Sequence, residues 1–145
     1  ELPKVAVLSA VEVVRTKMPS STDAAVLAKM ADRNQIAGGI VDGPLDLDIA
    51  VDAESARIKG VKSPVAGQAD ILIPPNIDAG NMMYKELSFM SDAQGAGIVM
   101  GAKVPLILTS RSDGADTRMF STALAVLFAD ATAKDPALLH PAVSE

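Results

Sequence analysis

Short unbroken apolar runs alternate along the chain with longer stretches in which apolar residues recur every three or four positions. Lys4–Leu8 (KVAVL) is the first such run, the pattern of a strand buried on both faces. Residues 9–19 read as a polar connection. Pro19-Ser20-Ser21-Thr22-Asp23 then supplies an N-cap cluster for a helix over residues 24–33, with Val26, Leu27 and Met30 on one side. Gly38-Gly39 ends that unit, and Ile40-Val41 begins a second strand that stops at Asp42-Gly43-Pro44. A helical stretch over residues 45–59, broken near Asp52, ends at Gly60, and residues 63–67 (SPVAG) form a loop. Ile71–Ile73 is the third strand, ended by Pro74-Pro75, and Asp78-Ala79-Gly80-Asn81 opens a helix over residues 82–93. Two more apolar runs, residues 97–100 and 104–108, are separated by Gly101-Ala102-Lys103, and a last helix covers residues 115–132. Residues 134–145, with Pro136 and Pro141, read as a flexible tail after a unit of residues 1–133.

Strands that alternate with helices and lack period-two polarity predict an α/β fold, a mostly parallel sheet flanked by helices. The three residues at 101–103 are too few for a crossover, so the last two strands are expected to close as a terminal antiparallel hairpin. In sheets of this kind ligands bind outside the carboxyl ends of the strands. Asp42-Gly43, the segment from Asp78 to Asn81, and Ser110-Arg111 all follow strand ends. The last of these opens the polar cluster Ser110, Arg111, Ser112, Asp113, Gly114, Asp116 just before a helix N-terminus. Unpaired amides there carry about half a positive charge, and an arginine adds a planar fork suited to phosphate or carboxylate. The competing reading is a turn whose serines and aspartates only cap the helix.

Composition narrows the class. The chain has 145 residues, 49% of them hydrophobic but only 3% aromatic, so aliphatic side chains and methionine must supply the packing. Met82, Met83, Met90 and Met100 are expected to be core filler. A net charge of −5 argues against a nucleic-acid surface, which needs clustered lysine and arginine. There is no cysteine, hence no disulfide, thiolate metal site or cysteine nucleophile. No run suits a membrane span or signal peptide, and a soluble cytoplasmic protein is the expectation. The strand within the first eight residues suggests part of a longer protein. Asp48 and Asp52, four apart, are expected on a solvated helix face rather than on a metal. Lys103 reads as an exposed turn lysine, and His140, between Leu139 and Pro141, is set aside as catalyst or ligand.

Three ordered segments are more specific. VDGPL at 41–45, SPVAGQADILIPPNIDAGNMMYK at 63–85 and AGIVMGAKVPLILTSRSD at 96–113 resemble the phosphate acetyl/butyryltransferase family, most closely its butyryl branch and the transferase part of bifunctional enoyl-CoA hydratase/phosphate transferase proteins. The resemblance extends over residues 2–129 and implies the carboxyl-terminal portion of a longer enzyme. It further implies a fold like that of isocitrate and isopropylmalate dehydrogenases, a homodimer or higher oligomer, and an amino-terminal region that forms the other wall of the cleft. The implied reaction is acyl-CoA plus phosphate giving acyl phosphate plus CoA, with no metal and no tightly bound cofactor. By the same resemblance Ser110 and Arg111 match the serine–arginine pair beside the reacting phosphate. A catalytic aspartate follows that pair, Asp116 fitting the spacing better than Asp113. Asp78, Gly80, Asn81, Tyr84 and Lys85 match the substrate-binding (D/E)AGN-x-x-YK segment, with Asp78 equally readable as an N-cap, and Asp42-Gly43 matches the family's DG turn. Leu87-Ser88-Phe89, where acetyl enzymes often carry a basic residue, leans toward a longer acyl chain.

The chemistry is demanding. CoA's thiol titrates near 8.5 and a carboxylate near 3.9, so full proton transfer between them costs about 6 kcal/mol. A carboxylate in that role needs either desolvation or transfer concerted with attack. Direct transfer between bound partners, without an acyl-enzyme, makes positioning the main contribution. The runner-up readings are a nicotinamide-dependent decarboxylating dehydrogenase and a non-catalytic ligand-binding or assembly domain. The first lacks an acidic cluster for a divalent cation and a nucleotide-anchoring motif in this sequence.

Overall fold

The computed structural model describes residues 1–139, so His140 and the last part of the expected tail lie outside the described residues. The chain divides into two compact units, the first Glu1–Met83 and the second beginning at Tyr84.

In the first unit, β1 (Lys4–Leu8), β2 (Ile40–Leu45) and β3 (Ile71–Ile73) form a parallel sheet in the order β2-β1-β3. Helix α1 (Pro19–Asp32) connects β1 to β2, and α2 (Leu47–Val51) with α3 (Ala53–Ile58) connects β2 to β3. The two connections cross the sheet in opposite directions, so right-handed crossovers put their helices on opposite faces. Side-chain alternation along β1 agrees: Ala6 and Leu8 enter a core with Leu45, Ile49, Ala50, Ala56 and Val65. Val7 faces the other way, toward Ala24 of α1.

Three expected boundaries move, each for a local reason. Helix α1 begins at Pro19 instead of residue 24, because a proline at the first helical position fixes φ and lacks only an amide that would go unpaired. The hydroxyls expected to cap the helix lie inside its first turns: Thr22 donates to the Pro19 carbonyl at 2.9 Å, and the Arg15 amide donates to fully buried Ser21 at 2.9 Å. Strand β2 does not stop at Asp42 but continues to Leu45, with a register shift against β1 between Ala6 and Leu8 and a cis Gly43–Pro44 bond. Pro44, lacking an amide hydrogen, is tolerated because β2 is an edge strand. Helix α4 (Ile77–Met90) starts five residues earlier than expected and ends three earlier. Its start is set by Asn76, whose side chain accepts from the Ala79 amide at 2.9 Å, so Asn76 and not Asp78 does the capping.

Gly43 has no room for a side chain. A Cβ there would lie 2.7 Å from the Val7 carbonyl oxygen and 3.2 Å from the Ala24 Cβ, so β2 can follow β1 beneath α1 only with glycine. Gly43→Ala is therefore expected to destabilise by about 1–3 kcal/mol, the usual cost of overpacking. Thermal denaturation beside the wild type checks this, and an unchanged midpoint would mean that Val7 and Ala24 yield freely.

The break expected near Asp52 is real. Asp52 caps α3 by accepting from the Ser55 amide at 2.7 Å, and the Ser55 side chain together with that amide holds its carboxyl below the usual range. Asp48 is bound by Lys59 at 2.9 Å, which likewise lowers its carboxyl, and Lys59 also reaches Asp46 at 3.3 Å. The aspartates at 48 and 52 thus do separate structural jobs at a helix junction.

The second unit takes in the carboxyl-terminal half of α4, an antiparallel ribbon of β4 (Ile98–Val99) and β5 (Leu106–Ile107), and α5 (Ala115–Lys134). The hairpin forms as expected, as a sheet of its own. The start of the expected tail is ordered into a single 3-10 turn, Pro136–Leu138, capped by the Asp135 side chain. Fully buried Ser121 fastens ribbon to helix: its hydroxyl accepts from the Gly97 amide at 3.0 Å and donates to the Thr117 carbonyl at 2.7 Å. Gly97 in turn passes so close to β5 that a Cβ would meet the Leu108 carbonyl oxygen at 2.7 Å.

The expectation of a doubly buried strand fails here. Val104 and Leu108 are 62% and 69% exposed, because strands of two residues bury little beyond the side packed on α5. The methionine expectation fails in the same way. Met83 packs against the core of the first unit, but Met82, Met90 and Met100 are exposed.

Candidate active site

The polar cluster after β5 folds into a closed loop. The Asp113 carboxylate accepts from the Ser110 amide at 2.7 Å, and the Asp113 amide donates to the Ser110 carbonyl at 3.1 Å. The Ser110 and Ser112 hydroxyls meet at 3.0 Å, and the Ser112 amide approaches the Ser110 hydroxyl oxygen at 3.4 Å. Arg111 and Ser112 occupy the exposed apex, and the Arg111 guanidinium has no partner among the described residues. Directly after the loop, Gly114 stands at the N-cap of α5 and offers no side chain to cap the helix. Its first amides are therefore open and carry the positive end of a 20-residue helix. Asp116 lies in that first turn, exposed and likewise without a partner among the described residues. Ser110, Arg111, Asp113 and Asp116 are thus brought together by one loop and one helix start.

Helix α4 carries the next group. Asp78, Asn81 and Lys85 follow the i, i+3, i+7 spacing and share one helical face. Asp78 and Asn81 are exposed, while Gly80 backs onto Pro74. The Lys85 ammonium is buried without a hydrogen-bond partner and lies 5.5 Å from the Tyr84 ring centre and 5.4 Å from that of Phe89. Two aromatic rings attract a cation but accept no ordinary hydrogen bond from it, so a buried ammonium held this way still lacks an anionic partner. Tyr84 and Asp113 line a hollow of about 180 Å³ in the second unit, together with Ser88, Phe89, Ser112 and Thr117.

Asp42 and Gly43 belong to the first unit, where the Asp42 carboxylate accepts from the Gly43 amide at 2.8 Å. Sequence reasoning missed Thr117, which α5 contributes to the hollow, and noted Ser88 of α4 only within Leu87-Ser88-Phe89 as a sign of acyl length. Thr117 occupies an unremarkable helical position, and only the fold brings it to the hollow. Among the described residues no group of three or more histidines or acids could hold a metal ion, and no helix is long and apolar enough to cross a membrane.

Comparison with known proteins agrees with this assembly of motifs. A family model described as "Phosphate acetyl/butaryl transferase" matches residues 1–126. A phosphate acetyltransferase of Rhizobium meliloti is 56% identical over 127 residues, covering 88% of this chain and 40% of that protein. A phosphate butyryltransferase of Clostridium acetobutylicum is 55% identical over 129 residues, covering 89% and 43%. A crystal structure of a branched-chain phosphotransacylase from Enterococcus faecalis V583 superposes with a TM-score of 0.72 at 44% identity, covering 86% of this chain and 45% of that one. The chain therefore spans 40–45% of the length of these relatives. They do not favour the dehydrogenase alternative.

Proposed function

The chain belongs to the phosphate acetyl/butyryltransferase family, and from that premise we propose that it supplies the phosphate-binding part of an enzyme that moves an acyl group reversibly between CoA and inorganic phosphate. The observation that carries this reading is Arg111, an unpaired guanidinium at the apex of a braced loop, beside the open amides of α5. A phosphate there would receive two parallel hydrogen bonds from the guanidinium and further donation from the helix start. The Ser110 hydroxyl donates to the same oxygens or to the acyl carbonyl. Asp116 takes the proton from the CoA thiol as sulfur attacks the acyl phosphate carbonyl, and the phosphate leaves with the electron pair of the broken carbon–oxygen bond. In reverse, phosphate attacks the thioester and Asp116 returns the proton to the departing sulfur. Arg111 meets the phosphate charge in both directions, and no acyl-enzyme is formed.

Asn81, Tyr84 and Lys85 contact the substrates, with Asp78 and Gly80 of the same helix and the Asp42-Gly43 turn as further contacts. The buried Lys85 ammonium supports this assignment, because a phosphate or pyrophosphate oxygen would supply the acceptor it lacks. The exposed apolar residues of the ribbon and α5 are the surface that the amino-terminal region of the complete enzyme covers. That reading is supported by the chain's 40–45% share of its relatives' length. The two-domain arrangement of isocitrate and isopropylmalate dehydrogenases, a homodimer and a cytoplasmic location go with the same reading, as does an acetyl or butyryl substrate.

The test is phosphate-dependent release of CoA from acetyl-CoA and butyryl-CoA, measured on the complete enzyme and on this chain. Release is expected from the complete enzyme and not from the chain alone. A folded complete enzyme that releases none from either thioester overturns the proposal.

A further inference from the structure

Two carboxylates follow the serine–arginine pair, and the geometry gives them different work. We infer that Asp113 is a positioning residue, which fixes the Ser110–Arg111 segment for phosphate while Asp116 is left free for the proton. This inference rests on the reading of Ser110 and Arg111 as phosphate ligands. Asp113 is committed at both its side chain and its main chain. Its carboxylate accepts from the Ser110 amide at 2.7 Å and its own amide donates to the Ser110 carbonyl at 3.1 Å. These two bonds close a ring around residues 110–113 with Arg111 and Ser112 at the open end. Fixing a residue's backbone costs conformational entropy. A loop already closed by Asp113 has met that cost before phosphate arrives, and an unclosed one must meet it on binding.

The same ring engages the serine. The Ser110 hydroxyl lies 3.0 Å from the Ser112 hydroxyl, a pair in which either can donate, and accepts from the Ser112 amide at 3.4 Å; when Ser112 donates in both, the Ser110 hydrogen is free for a substrate oxygen. Asp116, by contrast, accepts from nothing among the described residues. The Asp113 carboxylate is engaged with a main-chain amide, whereas Asp116 is open to a substrate thiol, with proton transfer concerted with attack.

Asn keeps the oxygen that accepts from the Ser110 amide, and Ala removes it, so the pair of variants separates the roles. In the complete enzyme, Asp113→Ala is expected to raise KM for phosphate about tenfold or more, the loss of one charge-assisted hydrogen bond, with KM for acyl-CoA little moved. Asp113→Asn is expected to stay within about threefold of wild type, because a neutral acceptor still forms the bond. Both should keep the wild-type shape of the pH–rate profile. In this chain, amide hydrogen exchange gives a readout that does not depend on turnover: the Ser110 amide should exchange slowly in wild type and Asp113→Asn and fast in Asp113→Ala. A kcat collapse in Asp113→Asn equal to that in Asp113→Ala, with the phosphate KM unchanged, would make Asp113 a proton carrier and overturn the inference. So would Ser110 exchange at one rate in all three proteins. Absence of CoA release in the wild type counts against the acyltransferase reading alone, since the exchange measurement still decides the role of Asp113.

Discussion

Arg111→Gln is expected to lower kcat/KM for phosphate by about two to four orders of magnitude, the loss of two charge-assisted hydrogen bonds of roughly 1.5–3 kcal/mol each. The effect should fall on phosphate and spare the fold. Among the described residues the guanidinium touches no protein partner, so its removal breaks no internal bond. Melting temperature and circular dichroism should therefore match the wild type while turnover is nearly lost. Arg111→Lys should recover only a minor part, because an ammonium is a point charge and cannot present the two parallel donors of the planar fork. Full activity of Arg111→Gln in the complete enzyme would remove Arg111 from the site. A matched fall in melting temperature would instead show that the side chain braces the loop.

What the sequence told and withheld follows from the range of the forces involved. Strand β1 was legible because its continuous apolar run is buried at Ala6, Val7 and Leu8, and the Asp52 break because an aspartate cap acts on amides within three residues of itself. The start of α1 was misread since hydroxyls serve equally as caps and as first-turn residues that bond back to carbonyls, as Ser21 and Thr22 do. The extension of β2 through Asp42-Gly43-Pro44 was hidden, because the turn chemistry of those residues is overridden by Val7 and Ala24, far away in the chain. Exposure of Met82, Met90 and Met100 was unreadable in principle. Hydrophobicity states that a side chain gains from burial but not whether the covering surface lies within the same chain. At the site, the order of the motifs was enough to nominate Ser110, Arg111 and two aspartates. The division of labour proposed for those aspartates was only half legible, because motif spacing favours Asp116 over Asp113 as the proton carrier but the bond from the Ser110 amide to Asp113 belongs to the fold.

That division makes Asp116→Asn the more informative of the two aspartate substitutions. A positioned general base contributes typically 10²–10⁴ in rate, so kcat near pH 7 should fall by about that much in the complete enzyme, with KM for phosphate roughly held. The pH dependence carries the mechanism. Without the base, only CoA that has ionised by itself can attack, and the thiolate fraction rises about tenfold per pH unit until the thiol's ordinary value near 8.5. The variant's rate of acyl phosphate consumption should therefore climb steeply between pH 6.5 and 8.5, a range set by that thiol near 8.5. The wild type, which ionises its thiol within the site, should climb less, so the gap between the two narrows as the medium becomes alkaline. A defect of equal size at every pH would mean that Asp116 orients a substrate or holds α5 in place and moves no proton. A variant as active as the wild type at pH 7 would leave the open start of α5 and Arg111 as the catalytic apparatus, with solvent taking the proton.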